Sequence, residues 1–355
     1  MPALRKQDLP TPAIVLDAAL FERNLARMQR HVEAAGKRLR PHAKAHKCVE
    51  VARRQAAAGA AGICVATVDE MGWMVNATLP GVLLTSPLAD AAKMARVAAW
   101  AAEHDVMAVA DHPVQVSMWQ AVAAAMGTRL DLLVDLDVGD RRTGIACGES
   151  ALALARAIDD SPNLRLRGVQ AYSVSGSHTE DPGARRIHSL SALGPAMETV
   201  SAMRQAGLPV EIVSGASTGT WDIDTDIPVL TELQAGSYIF HDLAYARIGV
   251  PFEPALRVLA TVISANHEDR VTVDAGFKAF STDRPFPPEP YGCPGVQYQF
   301  AGDEFGYLLA GGGSLPRLGG KIELLPPHID PTVNLHTRIY VCRGDIVEEI
   351  WPLKQ

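Results

Sequence analysis

Residues 106–134 read VMAVADHPVQVSMWQAVAAAMGTRLDLLV and contain one complete structural unit. The apolar runs at its two ends, 106–110 and 130–134, are short and are typical of strands that are buried on both faces. The Ala-rich stretch between them, 115–126, is long enough for a helix. A strand, a helix and a second strand in this order predict two parallel strands joined by a right-handed crossover.

The same alternation extends over about residues 35–245. Further apolar runs occupy 62–66, 81–85, 166–172 and 210–213, and further helical stretches occupy 90–103, 149–159 and 185–206. Seven or eight such units predict an α/β fold built on a closed (β/α)8 barrel of the TIM type, because no turn carries the glycine fingerprint of a dinucleotide-binding sheet. An open α/β sheet remains the alternative.

The texture of the sequence changes after residue 245, where helical patterns give way to short strand-like runs separated by Gly and Pro. These runs are 255–264, 270–274, 305–310, 321–325 and 338–343. They predict an antiparallel β domain. We therefore expect a βα barrel over 1–245, whose extreme N-terminus can join the β domain, and a β domain over 246–355.

Composition and charge exclude several classes of protein. The net charge is −7 and no long basic run occurs, which argues against a nucleic-acid-binding surface. The chain has five cysteines without a CxxC pair, no apolar signal sequence and no run long enough to span a membrane. We expect a cytoplasmic protein.

A basic cluster at residues 40–47, Arg-Pro-His-Ala-Lys-Ala-His-Lys, places Lys44 between two histidines. A cationic neighbourhood keeps more of a lysine amine neutral, as imine chemistry requires. From the residues alone, a solvated basic surface is the better interpretation of the cluster.

Residues 10–17, Pro-Thr-Pro-Ala-Ile-Val-Leu-Asp, together with this cluster, resemble the opening of the D-threonine aldolase/D-serine dehydratase family. That family belongs to the alanine-racemase-like, fold-type III enzymes that use pyridoxal 5'-phosphate (PLP). The resemblance extends over nearly the whole chain. It implies a PLP-binding barrel followed by a β domain, Lys44 as the Schiff-base lysine, and a homodimer.

Three further residues are implicated by the same resemblance. Arg142, in the segment 137–144, corresponds to an arginine near the cofactor, where a guanidinium stabilises the phenolate oxygen of PLP. Tyr172 corresponds to an aromatic residue against the cofactor ring. His178 corresponds to a histidine near the substrate hydroxyl, although the preceding segment 173–177 departs from the usual His/Gly-rich pattern and His188 is a rival.

Two segments rich in small and hydroxyl residues follow the seventh and eighth predicted strands, where barrels of this type commonly bind phosphate. Both resemble the phosphate site of the family, and tight turns are the alternative. The residues expected to bind the phosphate are Ser217, Thr218, Gly219, Gly236, Ser237 and Tyr238. The segment 274–283 also resembles a family segment, but it receives no catalytic role.

His328 and Asp330 form an HxD pair. In an extended strand the two side chains point to the same side and converge on one ion. On spacing alone a surface pair is the better interpretation, but the resemblance implies a metal site here. An imidazole and a carboxylate suit Mn²⁺ best, with Mg²⁺, Co²⁺ and Zn²⁺ as alternatives.

The resemblance therefore implies a PLP- and metal-dependent aldolase that cleaves a D-3-hydroxy amino acid into glycine and an aldehyde. Dehydration of the same substrate to a 2-oxo acid and ammonia is the second hypothesis. A non-catalytic PLP carrier is the third, although such proteins resemble the barrel alone.

Overall fold

The computed structural model describes residues 3–353. Within them the chain divides into two compact units. The barrel unit contains Met28–Lys44 and Val51–Gly236, and the β unit contains the N-terminal segment up to Arg27, Ala45–Glu50 and the segment from Ser237 onward.

The strands of the described chain are β1 (Ala13–Asp17), β2 (Arg38–Leu39), β3 (Ile63–Val65), β4 (Val82–Leu84), β5 (Val106–Ala110), β6 (Leu130–Asp137), β7 (Ile145–Ala146), β8 (Leu164–Ala171), β9 (Ile212–Gly215), β10 (Glu232–Leu233), β11 (Leu256–Ser264), β12 (Arg270–Val273), β13 (Glu289–Pro290), β14 (Gln297–Phe300), β15 (Gly306–Leu309), β16 (Lys321–Leu325), β17 (Arg338–Arg343) and β18 (Ile346–Pro352). Its α-helices are α1 (Ala18–Ala34), α2 (Val49–Ala57), α3 (Val68–Asn76), α4 (Ala91–Ala101), α5 (Pro113–Ala125), α6 (Glu149–Asp159), α7 (Pro182–Gln205), α8 (Trp221–Asp224), α9 (Leu243–Arg247) and α10 (Ile329–Val333). None of these helices is both long and apolar enough to cross a membrane.

The barrel unit is a parallel sheet with the strand order β2-β10-β9-β8-β6-β5-β4-β3. Its two ends meet, because His42 forms a parallel bridge with Cys64 and the Cys64 N–H donates to the carbonyl of Pro41 at 2.9 Å. The predicted closed barrel is therefore confirmed, and the open sheet is wrong.

The quoted stretch 106–134 forms β5, α5 and β6, and it shows why the barrel forms. Every residue of β5 is buried, as expected for a strand covered on both faces. Pro113 occupies the first turn of α5, and His112 accepts the Val114 N–H through its side chain at the N-cap. An apolar cluster contributed by strands of this sheet is formed by Cys64, Leu83, Met107, Val109, Leu133 and Ile212.

A buried ion pair joins β10 to the end of β2. Arg40 donates from Nε to Glu232 Oε1 at 2.7 Å and from Nη2 to Oε2 at 3.0 Å, and both side chains are almost inaccessible to solvent. A third donor of Arg40 bonds to the carbonyl of Gly81, just before β4. The closure of the barrel therefore depends on a satisfied bidentate pair, since an unpaired charge in this place would be strongly destabilising.

The β unit is mainly antiparallel, with the order β14-β15-β12-β11-β1-β17-β18 and with β16 paired to β11 and β13. Strand β1 lies antiparallel to β11 and parallel to β17, so the N-terminal segment is part of this sheet. The C-terminal part of the unit begins at Ser237, because the turn Ser237–Ile239 and α9 already belong to it. The change from helical to strand-like sequence patterns at residue 245 falls inside α9.

Candidate active site

Lys44 lies in the 3-10 turn Ala43–Ala45, which follows β2. Its Nζ is 5.5 Å from the ring centroid of Tyr172, a residue directly after β8. The guanidinium carbon of Arg142 is 5.6 Å from the same centroid. The structure therefore brings together three of the residues that the sequence singled out, with two cations around one aromatic ring.

These three side chains share a cavity of about 240 Å³ in the barrel unit. It is lined by His42, Lys44, Ala66, Thr85, Ser86, Pro87, Arg142, Thr143, Gln170, Tyr172 and Gln234. Most of the lining residues lie at or just after the carboxyl end of a barrel strand, which is where barrels of this type place their active sites. Gln170, Gln234 and Thr85 were not singled out from the sequence, although a polar residue at a strand end is the signal that marks them.

His42 contacts two groups of the barrel unit through its ring nitrogens. Its Nδ1 accepts the backbone N–H of Lys44 at 3.3 Å, and its Nε2 lies 3.0 Å from Thr85 Oγ1. Thr85 in turn donates to the carbonyl of Val65. These contacts connect the turn that carries Lys44 to Thr85, at the end of β4.

A layer of hydrogen-bonded polar groups includes two glutamines of the cavity lining. Gln170 donates from Nε2 to Asp135 Oδ1 at 2.8 Å and accepts from Gln234 Nε2 at 3.1 Å, and Gln234 also donates to Ser214. Thr143 donates to Asp135 Oδ2 at 2.9 Å. Burial raises the pKa of Asp135 to about 6, against the hydrogen bonds from Gln170 and Thr143, which lower it. This network fixes the orientation of both glutamines.

The loop that carries Arg142 is folded around Asp137. Asp137 Oδ1 accepts the backbone N–H groups of Gly139 at 2.9 Å and Arg141 at 3.0 Å. At the far end of the loop, Gly144 donates to Asp111 Oδ2 at 2.9 Å. Arg142 is thus presented by a loop that is tied down on both sides.

His178 ends the 3-10 turn Ser175–His178, outside the set of described residues that line the cavity. The turn packs closely on the next candidate segment, since a Cβ on Gly219 would lie 1.8 Å from the carbonyl oxygen of Ser177. The rival His188 is exposed, and its Nε2 is 2.8 Å from Ser175 Oγ. The role of His178 stays a prediction.

The segment 217–220 is a buried turn held by its own hydroxyl groups. Ser217 Oγ accepts the Gly219 N–H at 3.2 Å, and the Ser217 N–H donates to Thr220 Oγ1 at 3.3 Å. Thr220 also donates to Asp224, whose pKa burial raises to about 6. Thr218 is 2% exposed. The turn is therefore rigid, as a preformed anion site would be.

The second predicted phosphate segment is divided between the two units. Gly236 is the last residue of the barrel unit, and Ser237 and Tyr238 are the first residues of the 3-10 turn Ser237–Ile239 in the β unit. The Ser237 hydroxyl donates to Asp330 Oδ1 at 3.0 Å. The Tyr238 ring is fully buried and packs on Phe252 with centroids 5.6 Å apart. The side chains of Ser237 and Tyr238 thus have structural partners within the β unit.

The extended strand predicted for His328 and Asp330 is wrong, because α10 begins at Ile329 and places Asp330 in its first turn. Both residues influence the buried carboxyl of Asp242, whose pKa is lowered by His328 and raised by Asp330. Asp242 accepts the Ile329 N–H at 2.8 Å, and burial raises its pKa to about 6. His328 Nδ1 lies 2.6 Å from Asp283 Oδ2. Within residues 3–353, no three His, Cys, Asp or Glu side chains converge on a metal-sized site.

Comparisons with known proteins agree with this architecture. Residues 16–244 match the family model of the alanine racemase N-terminal domain, and residues 255–342 match that of a putative serine dehydratase domain. The chain is 37% identical to a D-threonine aldolase of an Arthrobacter species over 97% of this chain and 92% of the relative. It is 32% identical to a 3-hydroxy-D-aspartate aldolase of Paracoccus denitrificans over 99% and 94%.

Solved structures give the same result. A D-threonine aldolase from Filomicrobium marinum superposes with a TM-score of 0.95 at 37% identity, covering 99% of this chain and 97% of that one. A D-threo-3-hydroxyaspartate dehydratase from Delftia sp. HT23 superposes with a TM-score of 0.90 at 28% identity, covering 99% of each. The chain therefore belongs to the alanine-racemase-like, fold-type III family of PLP enzymes, on the branch that joins this barrel to a serine dehydratase-type domain.

Proposed function

We propose that this protein is a PLP- and metal-dependent lyase that cleaves D-3-hydroxy amino acids into glycine and an aldehyde. The observation that carries the proposal is the cavity at the carboxyl ends of the barrel strands, where the Lys44 amine and the Arg142 guanidinium surround the Tyr172 ring. The named aldolases, which align over nearly the whole chain, support this choice of reaction.

The residues of the cavity fit PLP by their chemistry. Lys44 offers a primary amine to the aldehyde, Tyr172 offers a flat face to an aromatic ring, and Arg142 offers a guanidinium to an anionic oxygen. The turn 217–219 and the segment 236–238 are the proposed phosphate-binding residues. When bound, PLP supplies an electron sink for the electron pair of a broken bond to Cα.

The protein groups then have defined tasks. Lys44 would hold PLP through its side-chain amine. His178 accepts the proton of the substrate 3-hydroxyl as the Cα–Cβ bond breaks. His328 and Asp330 would hold the divalent metal, which would supply Lewis-acid stabilisation of charge on the oxygen of that hydroxyl. Asp330 offers an oxygen ligand, which favours Mn²⁺ or Mg²⁺ over softer ions.

Dehydration to a 2-oxo acid and ammonia is the second candidate. It is favoured by the Delftia D-threo-3-hydroxyaspartate dehydratase, which is 32% identical over 348 residues. A PLP carrier without activity is disfavoured by the second unit, since residues 255–342 match a serine dehydratase domain that a carrier does not need. The homodimer implied by the resemblance is part of the proposal, and light scattering tests it.

The two reactions are separated by their products. We expect the purified protein with PLP, Mn²⁺ and D-threonine to release glycine and acetaldehyde, and to lose this activity when EDTA removes the metal. Lys44→Ala is the matched control, and it should lose both the visible absorbance band of bound PLP and turnover. Formation of 2-oxobutanoate and ammonia would favour the dehydratase, and full activity of Lys44→Ala would refute the whole proposal.

A further inference from the structure

We infer that Asp283 is a positioning residue for the metal: its carboxylate keeps the proton of His328 on Nδ1 and so directs Nε2 towards the ion. This inference rests on the metal site of the proposed function. It also assigns a role to the last residue of the segment 274–283, which the sequence left without one.

A short hydrogen bond joins the side chains of His328 and Asp283. Asp283 Oδ2 lies 2.6 Å from His328 Nδ1, across 45 residues of sequence. A carboxylate can only accept, so the proton of this bond belongs to Nδ1, and a neutral imidazole then has its lone pair on Nε2. A histidine that binds a metal commonly donates its other N–H to a carboxylate in this way, which fixes the tautomer and the ring orientation.

The same segment also holds the backbone of His328. Ser281 Oγ donates to the carbonyl of His328 at 3.1 Å, and Thr332 Oγ1 donates to the same oxygen at 2.6 Å. The Ser281 N–H donates to Thr332 Oγ1 at 3.1 Å. With the backbone fixed, rotation of the side chain is the remaining freedom of the ring, and the hydrogen bond that Nδ1 donates to Asp283 restricts it.

Asp283 also forms an ion pair with Arg284, whose Nε lies 3.6 Å from the Oδ2 that accepts from His328. The Asp283 side chain is nevertheless 45% exposed, and an exposed pair contributes little to folding. Removing the carboxylate should therefore change how His328 binds a metal, with little change in the stability of the fold.

Asp283 is also the cleaner of two probes. The second proposed ligand, Asp330, accepts from the Ser237 hydroxyl at 3.0 Å, but Ser237 belongs to a proposed phosphate segment as well. A change at Ser237 would disturb two sites, whereas a change at Asp283 tests the imidazole ligand alone.

The experiment measures Mn²⁺ affinity of the full-length protein with PLP bound, from the free Mn²⁺ signal in electron paramagnetic resonance. Asp283→Ala should weaken binding by about 10- to 100-fold, the range typical of lost partners of metal-ligating histidines. Asp283→Asn should lose less, because its side-chain oxygen still accepts from Nδ1. Asp345→Ala is the matched control, since Asp345 lies in the same unit in an exposed pair with Arg5 and should leave the affinity unchanged.

Thermal unfolding of each variant shows whether the fold is intact, and Asp283→Asn carries the test if Asp283→Ala does not fold. Equal Mn²⁺ affinity in the parent and the Asp283 variants, with weakened binding in His328→Ala, would overturn this inference and leave the proposed metal site in place. If the parent bound no Mn²⁺, or if His328→Ala bound it as tightly as the parent, the metal site itself would be wrong and the inference with it.

Discussion

Replacing Asp135 with asparagine should stabilise the fold at neutral pH and much less at acid pH. The carboxylate is 3% exposed and accepts from Gln170 at 2.8 Å and from Thr143 at 2.9 Å. Burial outweighs these bonds and raises its pKa from 3.8 to about 6. Asparagine has the same shape, can still accept from Gln170, and can donate to the Thr143 hydroxyl once that group rotates.

The size of the effect follows from linkage. Between the unfolded and the folded pKa, the folded state binds more protons, so the stability contributed by the protonated acid is present at low pH and lost as the pH rises through about 6. At 1.36 kcal/mol per pKa unit, ionised Asp135 costs the folded state about 3 kcal/mol at pH 7 and less than about 1 kcal/mol near pH 4. Asparagine avoids this cost at every pH.

The assay is urea unfolding of both proteins, followed by tryptophan fluorescence at a series of pH values and without added PLP, so that cofactor binding does not contribute. The difference in the free energy of unfolding should grow by roughly 2 kcal/mol from about pH 4 to pH 7. Asp345→Asn, at an exposed carboxylate, should show no comparable trend. A difference that stays flat with pH, or a destabilised asparagine variant at pH 7, would show that burial does not control this acid.

Three further substitutions test the barrel and the cavity. Glu232→Gln removes the negative charge that pairs with the buried Arg40 guanidinium, so it should lower the free energy of unfolding by about 3–5 kcal/mol. A loss below about 1 kcal/mol would contradict this expectation. Gly168→Ala should lower the free energy of unfolding by about 3 kcal/mol in the same assay, because φ is +141° and a Cβ would lie 1.9 Å from the Ile212 carbonyl oxygen. Unchanged stability would mean that β8 and β9 can move apart without cost. Tyr172→Ala should weaken PLP binding by about 10-fold in an equilibrium absorbance titration, while Tyr172→Phe keeps the ring and the affinity; equal binding by both would remove the ring from the site.

The central strands of the barrel could be predicted because their sequences record burial on both faces. The run 106–110 is β5 as observed, and the run 130–134 lies within β6. The helix expected from residue 115 begins earlier, at Pro113, because His112 caps it. The strands that close the barrel are different: β2 and β10 have two residues each and include Arg38 and Glu232. Such short polar strands have no apolar periodicity. They are buried because they pair with strands that are distant in sequence, and this pairing cannot be read from the local sequence.

The cavity likewise contains residues that could be predicted from the sequence and contacts that could not. Lys44, Arg142 and Tyr172 were found through family resemblance, and the structure places them together. The hydrogen bond between Gln170 and Gln234 spans 64 residues and joins two strands that become near neighbours only when the barrel forms. The sequence placed His42 near Lys44, but it could not show that the ring nitrogens of His42 lie within hydrogen-bond distance of the Lys44 N–H and of Thr85 Oγ1.

The HxD pair shows most clearly what a sequence can nominate and what it cannot explain. Spacing put His328 and Asp330 together, yet the extended strand assumed for them is the start of α10. What makes His328 a competent ligand is supplied from elsewhere, by Ser281 on its backbone and Asp283 on its ring. Because a ring can be oriented only by groups that approach it from another part of the chain, such partners leave no local signature beside the ligand. If Asp283 positions His328 as inferred, the resemblance of the segment 274–283 to the family reflects its contact with a metal ligand 45 residues away.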